Sequence, residues 1–155
     1  MTKVSFRKYT REDASAFKAL NTEWLNKFFV VEAIDELVLS NPQSEILDKG
    51  GYIFMAELEK EIIGTFAFIK KEDKIYEFSK MAIAPTHRGK GNGNTMMQFA
   101  IQFADQHHWS KIILYSSRRL ENSIHIYRKY GFIEVDVEQD VHYSRCDIKM
   151  ELNLN

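Results

Sequence analysis

Hydrophobic and polar positions change period several times along this chain, and each change marks an element. Val4, Phe6 and Lys8 alternate with Ser5, Arg7 and Tyr9, the two-residue period of a short strand. Phe17, Leu20, Trp24 and Phe28 then recur at three- and four-residue steps, the stripe of a helix. Thr10 is placed to cap that helix, with Glu12 and Asp13 in the first turn, where the helix dipole favours negative charge. Residues 32–48 are less regular. Ile34, Leu37 and Val38 suggest a second short helix, and Pro42 opens a further turn that Gly50 and Gly51 stop.

Three strand-like runs follow, 52–58, 62–69 and 75–84, joined by the polar turns 59–61 and 70–74. Connections this short imply an antiparallel meander. Residues 91–108 carry Met96, Met97, Ala100, Ile101 and Ala104 at helical spacing, and 111–115 is a compact apolar strand. Passing from the third run through a helix to another strand implies a parallel β-α-β unit. A helix over 122–130 stops at Gly131, and 132–137 and 142–152 read as the last strands around the acidic turn 138–140. The predicted order is β-α-α-β-β-β-α-β-α-β-β. That is an α/β (α+β) mixed sheet with helices packed on it, a single domain over 1–155 without internal repeats.

Composition narrows the function classes. A chain of 155 residues buries a real core. Its formal net charge of −1 gives no global basic field, so no nucleic-acid partner is expected. No apolar run is long enough to span a bilayer, and the first ten residues lack the apolar core of a secretion signal. Cys146 is the only cysteine, which rules out an internal disulfide and a Cys-based zinc site. His107 and His108 are adjacent rather than four apart, so they are not a helical metal pair. Together these favour a cytoplasmic protein with no metal and no membrane partner.

The stretch 76–94, YEFSKMAIAPTHRGKGNGN, concentrates the candidate chemistry. It reads as a strand with Glu77 near its start and a glycine-rich turn at its end. Gly89, Gly91 and Gly93 alternate with Lys90 and Asn92, so the backbone can approach a ligand closely and adopt positive φ. Their N–H groups gather where a helix starts and its dipole favours an anion, naturally a phosphate or pyrophosphate. No GK[ST] closes the turn, so it is not a P-loop. Nor is it the dinucleotide fingerprint, whose third glycine would fall on Asn94. By itself the turn is equally well a flexible link between strand and helix.

The surrounding motifs resolve that ambiguity. RGKGNG at 88–93 matches the [R/Q]-x-x-G-x-[G/A] signature of the GCN5-related N-acetyltransferase (GNAT) superfamily. NSIHIYRKYGF at 122–132 resembles the family's second element: an asparagine, a tyrosine five residues on and a closing Y-G-F. With the element order, the resemblance covers nearly the whole chain, which is similar to uncharacterised bacterial members.

The resemblance implies the acyl-CoA N-acyltransferase fold and acetyl-CoA (coenzyme A) as cosubstrate. Carried over, the backbone at Arg88, Gly89, Lys90, Gly91, Asn92, Gly93 and Asn94 would hold the pyrophosphate. Met81, Ala82 and Ile83 would bind the pantetheine arm where the sheet splays between 81–83 and 114–116. Asn122 would cap its helix and touch the cofactor. An N–H near Met81 or Ala82 would stabilise the oxyanion. Glu77 is the candidate general base, and strand alternation places it on one face with Ser79, Met81 and Ile83. Tyr127 is the candidate general acid, with core packing as its bland alternative.

For the acceptor, Phe28, Phe29, Glu77 and Tyr143 are the expected contacts, with Trp24, Glu32 and Arg145 as weaker ones. The aromatic stripe also suits a core, and Glu32 and Arg145 also suit solvated or paired charges. The expected activity is acetyl transfer to a primary amine of a small molecule or peptide, by a monomer or homodimer. A non-catalytic acyl-CoA sensor and a protein-lysine or N-terminal acetyltransferase are the alternatives.

Overall fold

The computed structural model describes residues 3–140 and 143–154. Its elements are β1 (Ser5–Lys8), α1 (Ala14–Phe28), α2 (Ala33–Ser40), β2 (Tyr52–Leu58), β3 (Glu61–Glu72), β4 (Ile75–Ile83), α3 (Asn92–Gln106), β5 (Lys111–Ser116), α4 (Glu121–Lys129), β6 (Ile133–Val135) and β7 (Ile148–Asn153). The element order agrees with the reading of the sequence. The ends of the last two strands do not. Both are shorter than the apolar runs suggest: β6 ends at Val135 and β7 begins only at Ile148. The part of the expected last strand at 142 lies outside the described residues.

The seven strands form one mixed sheet in the order β1-β2-β3-β4-β5-β7-β6. Among the described residues only the β4–β5 pair is parallel, as a crossover through α3 requires. Helices cover both faces. Phe54, Phe66, Phe68, Tyr76 and Phe78 point into a core completed by Met96, Met97, Ala100 and Phe103 of α3. The alternate residues Ile53, Met55 and Ala67 point the other way, against Phe17 and Leu25 of α1 and Val38 and Leu39 of α2. With both faces buried, the central strands read as near-continuous apolar runs.

Two irregularities shape the middle of the sheet. The parallel pairing of β4 with β5 covers only Ile75–Glu77 against Lys111–Ile113, and beyond it the strands diverge. In β4 itself the register slips. Ala67 faces Ser79, yet Thr65 faces Ala82, so Lys80 and Met81 together stand opposite Phe66. This is a β-bulge, and Lys80 has φ +53°, in the left-handed region that lysine rarely occupies. The extra residue corrects the expected alternation. Glu77 and Ser79 share the α1 side with their partners Ile69 and Ala67, whereas Met81 and Ile83 pack against the α3 core.

Candidate active site

The divergence of β4 from β5 opens a cavity of about 410 Å³, the size of a small-ligand site. One end lies at the start of α3. Gly89 and Gly91 adopt φ +73° and +81°, and an added Cβ at either would meet no atom within 4 Å. These two glycines are needed for backbone conformation, and the space beyond them is open. Asn92 Nδ2 donates to the carbonyl of His87 at 2.9 Å and closes the turn. Among the described residues, no protein acceptor serves the backbone N–H groups from Gly89 to Asn94. Five of these six residues line the cavity; Lys90 is exposed and outside it.

Arg88 stands beside this cluster. Its guanidinium pairs with Glu23 of α1 and lies 5.6 Å from the centre of the Phe28 ring. Its Nε is buried without a partner among the described residues. Free N–H groups at a helix N-terminus, an orphaned cationic donor and open space together fit a phosphate-bearing ligand.

The floor of the cavity is the edge of β4 that β5 leaves. Ala84 N–H donates to Ile63 O at 2.8 Å, so its backbone faces β3. By strand alternation Met81 and Ile83 turn their N–H and C=O groups towards the opened edge, while Ala82 pairs towards β3 opposite Thr65. An extended chain laid along that edge finds ladder partners at Met81 and Ile83.

Across the opening, α4 presents Tyr127. Burial pushes its phenol up to about 12. Among the described residues its hydroxyl has no hydrogen-bond partner, and it lines the cavity. Asn122 also reaches the rim, but it is exposed and does not cap α4, whose N-cap is Leu120. The cap position lies two residues before Asn122, which is the second residue of the helix and makes no capping bond.

At the far end sits Glu77, 6% exposed, with Lys71 Nζ 3.7 Å away. A second cavity of about 430 Å³ lies close by, and Glu77, Tyr115 and Tyr143 line both. Trp24 and Phe29 form part of the wall of the first cavity; Phe28 does not line it.

Two groups escaped the sequence reading, Lys80 and Asp35. The bulge turns the Lys80 side chain towards α2, where its ammonium donates to Asp35 Oδ1 at 3.2 Å and to the Tyr143 hydroxyl at 2.6 Å. Arg145 binds both oxygens of Asp35 at 2.9 Å and Glu32 Oε2 at 3.0 Å. Glu32 is thus a partner in a network rather than a solvated charge, and Arg145 takes its paired alternative. Burial alone would raise the Asp35 carboxyl, but Arg145, the Glu32 N–H and Lys80 outweigh it and hold it below the ordinary range. Burial lowers the Lys80 ammonium, opposed by Asp35. It pushes the Tyr143 phenol up, with the charges of Glu77 and Asp35 adding to it, and the Cys146 thiol up to about 11. A thiol so protonated is a poor nucleophile. Among the described residues no group of His, Cys, Asp and Glu side chains is arranged for a metal ion. None of the described helices is long and apolar enough to cross a membrane.

Residues 17–132 match the family model described as Acetyltransferase (GNAT) family. Among solved structures the chain is similar to an acetyltransferase of the GNAT family from Staphylococcus aureus. The TM-score is 0.85 at 17% identity, covering 99% of this chain and 100% of that one, a likeness of fold alone. It is also similar to the spermidine N-acetyltransferase from Vibrio cholerae in complex with CoA and spermine. There the TM-score is 0.74 at 25% identity, over 97% of this chain and 95% of that one. Among curated proteins it is 28% identical over 89 residues to N-acetylaspartate synthetase of Xenopus tropicalis, 57% of this chain and 33% of the relative. It is 22% identical over 95 residues to N-acetyltransferase 8 of Rattus norvegicus, 58% of this chain and 43% of the relative. The aligned parts cover less than half of either curated relative.

Proposed function

Because the chain belongs to the acetyltransferase (GNAT) family, we propose that it moves an acetyl group from acetyl-CoA to a primary amine of a small molecule or peptide, with Glu77 as base and Tyr127 as acid. The observation that carries this reading is one cavity with free N–H groups at one end, Glu77 at the other and an opened strand edge between them. When bound, acetyl-CoA supplies the thioester; the remaining tasks fall to the chain. The N–H groups of Gly89 to Asn94, with Arg88 beside them, hold the pyrophosphate. Met81 and Ile83 hold the pantetheine arm as one more strand. An N–H on that edge stabilises the negative charge that develops on the carbonyl oxygen.

Glu77 takes a proton from the acceptor ammonium, directly or through a water, so that a neutral amine attacks. Its place at the end of the cavity away from the free N–H groups supports this role, because an acceptor there meets the acetyl end of a cosubstrate laid along the opened edge. Tyr127 keeps its proton throughout the neutral range, so it is competent to donate to the departing sulfur. A thiol with a pKa of about 8.5 already leaves well, which makes the acid the smaller contribution.

The test is an acetyl-CoA assay against pooled amines with Glu77→Gln and Tyr127→Phe. Glu77→Gln should lower kcat by about 10²- to 10⁴-fold, the usual share of a positioned base. Tyr127→Phe should lower it less, and both variants should retain acetyl-CoA binding. Unchanged turnover in both removes the assigned roles. Absence of CoA release with every amine overturns the reading itself.

A further inference from the structure

Two opposite charges line the acceptor end of the cavity. Glu77 and Lys80 both line it, and each lies within electrostatic reach of the other. Their neighbours decide which kind of acceptor this pair accepts. Asp35 is committed: Oδ1 accepts from Lys80 and Arg145, and Oδ2 accepts from Arg145 and the Glu32 N–H. Glu32 is committed as well, to Arg145 and to the Ser144 N–H at 3.1 Å. Asp35, with four donors on its two oxygens, has no capacity left for a second ammonium, and the charge of Glu32 is already met by Arg145.

Lys80 differs. Its ammonium carries three N–H donors, and among the described residues two acceptors serve them, Asp35 and the Tyr143 hydroxyl. Lysine has no acceptor of its own, so in the Lys80–Tyr143 bond the phenol oxygen accepts. The phenol proton therefore remains available to donate. The side chain of Lys80 is only 4% exposed. A buried cation with an unfilled donor is costly to leave so, and an anionic group completes it.

On this basis, and resting on the acetyltransferase reading above, we propose that the acceptor is an amino acid: its amino group meets Glu77, and its carboxylate is held by Lys80 and the Tyr143 hydroxyl. Lys80 and Tyr143 are specificity-determining residues, and Arg145 and Asp35 are positioning residues that fix them. Trp24 and Phe29 supply the apolar wall along the acceptor's side chain. The reaction balances as direct transfer. The ammonium gives one proton to Glu77; the neutral nitrogen then forms the amide bond as the thioester C–S bond breaks, Tyr127 protonates the departing sulfur so that it leaves as CoA thiol, and the second proton shed by the nitrogen makes good the one Tyr127 gave.

The experiment compares three acceptor sets with acetyl-CoA: the common amino acids, their carboxamides, and linear di- and polyamines. The expected result is a preference of roughly ten- to a hundredfold in kcat/KM for a free carboxylate over its amide, the size of a lost charged hydrogen bond. Lys80→Met should erase that preference through KM, leaving acetyl-CoA affinity measured by calorimetry in place. Lys80→Arg, which retains the charge, should restore part of it. Carboxamides or polyamines used as well as amino acids would overturn the proposal while leaving the acetyltransferase reading standing. So would a Lys80→Met variant with an unaltered carboxylate preference. A chain that binds acetyl-CoA yet acetylates no amine at all overturns both.

Discussion

Tyr127 and Phe132 close one turn. The amide of Phe132 donates to the carbonyl of Tyr127 at 3.0 Å, and their rings meet at 5.8 Å. With Gly131 N–H donating to Arg128 O at 3.0 Å, this is a Schellman motif and its customary hydrophobic contact. The bond that ends α4 is also the one that holds the proposed acid against the core, since Phe132 is buried.

Gly131 is therefore the most sensitive position in the second motif. It has φ +99°, and an added Cβ would stand 3.3 Å from Leu152 Cδ1. Gly131→Ala should cost about 1–2 kcal/mol from the backbone conformation alone. Denaturant unfolding measures it, and kcat should fall alongside as Tyr127 loses its anchor.

Tyr127 should titrate late. Its folded pKa is about 12 against an ordinary value near 10. The phenolate absorbance of Tyr127→Phe should therefore lack one late-titrating group. The stabilisation from this group is complete below about pH 10 and is lost as pH rises towards 12, because the unfolded chain releases the proton first. The wild-type protein should lose stability across that window more steeply than the variant.

Asp35 gives the opposite sign. Its carboxyl is held below the ordinary range when folded, so its contribution is present above the unfolded value near 3.9 and disappears as pH falls through the folded one. Asp35→Asn should flatten the acid limb of the stability profile. At neutral pH it should cost about 3–5 kcal/mol, because Lys80 and Arg145 lose their shared buried partner. Chemical unfolding at several pH values checks both effects.

In the cradle, conformation and space separate cleanly. Gly91 has room for a side chain but sits at φ +81°. Gly91→Asn should therefore be tolerated better than Gly91→Val, since asparagine enters the left-handed region more readily. The expected order of acetyl-CoA affinity, by calorimetry, is wild type, then Asn, then Val.

The sequence by itself determined the order of elements, the glycine turn at 88–94 and the helix stop at Gly131. Each is written in local periodicity or in residues whose backbone preferences are intrinsic. It also marked Glu77, Tyr127 and Tyr143, through motif spacing and strand position, as candidates around one site. Tertiary structure decided what those candidates face. One extra residue in β4, at Lys80, reverses the side-chain alternation after Ser79. No period in the sequence announces it, because a bulge exists only relative to the partner strand. The same slip brings Lys80 to Asp35, 45 residues away, and Arg145 reaches Asp35 across 110. Nothing local to Lys80 or Arg145 in the sequence names Asp35 as their common partner. Only the packed chain makes them a paired wall beside Glu77.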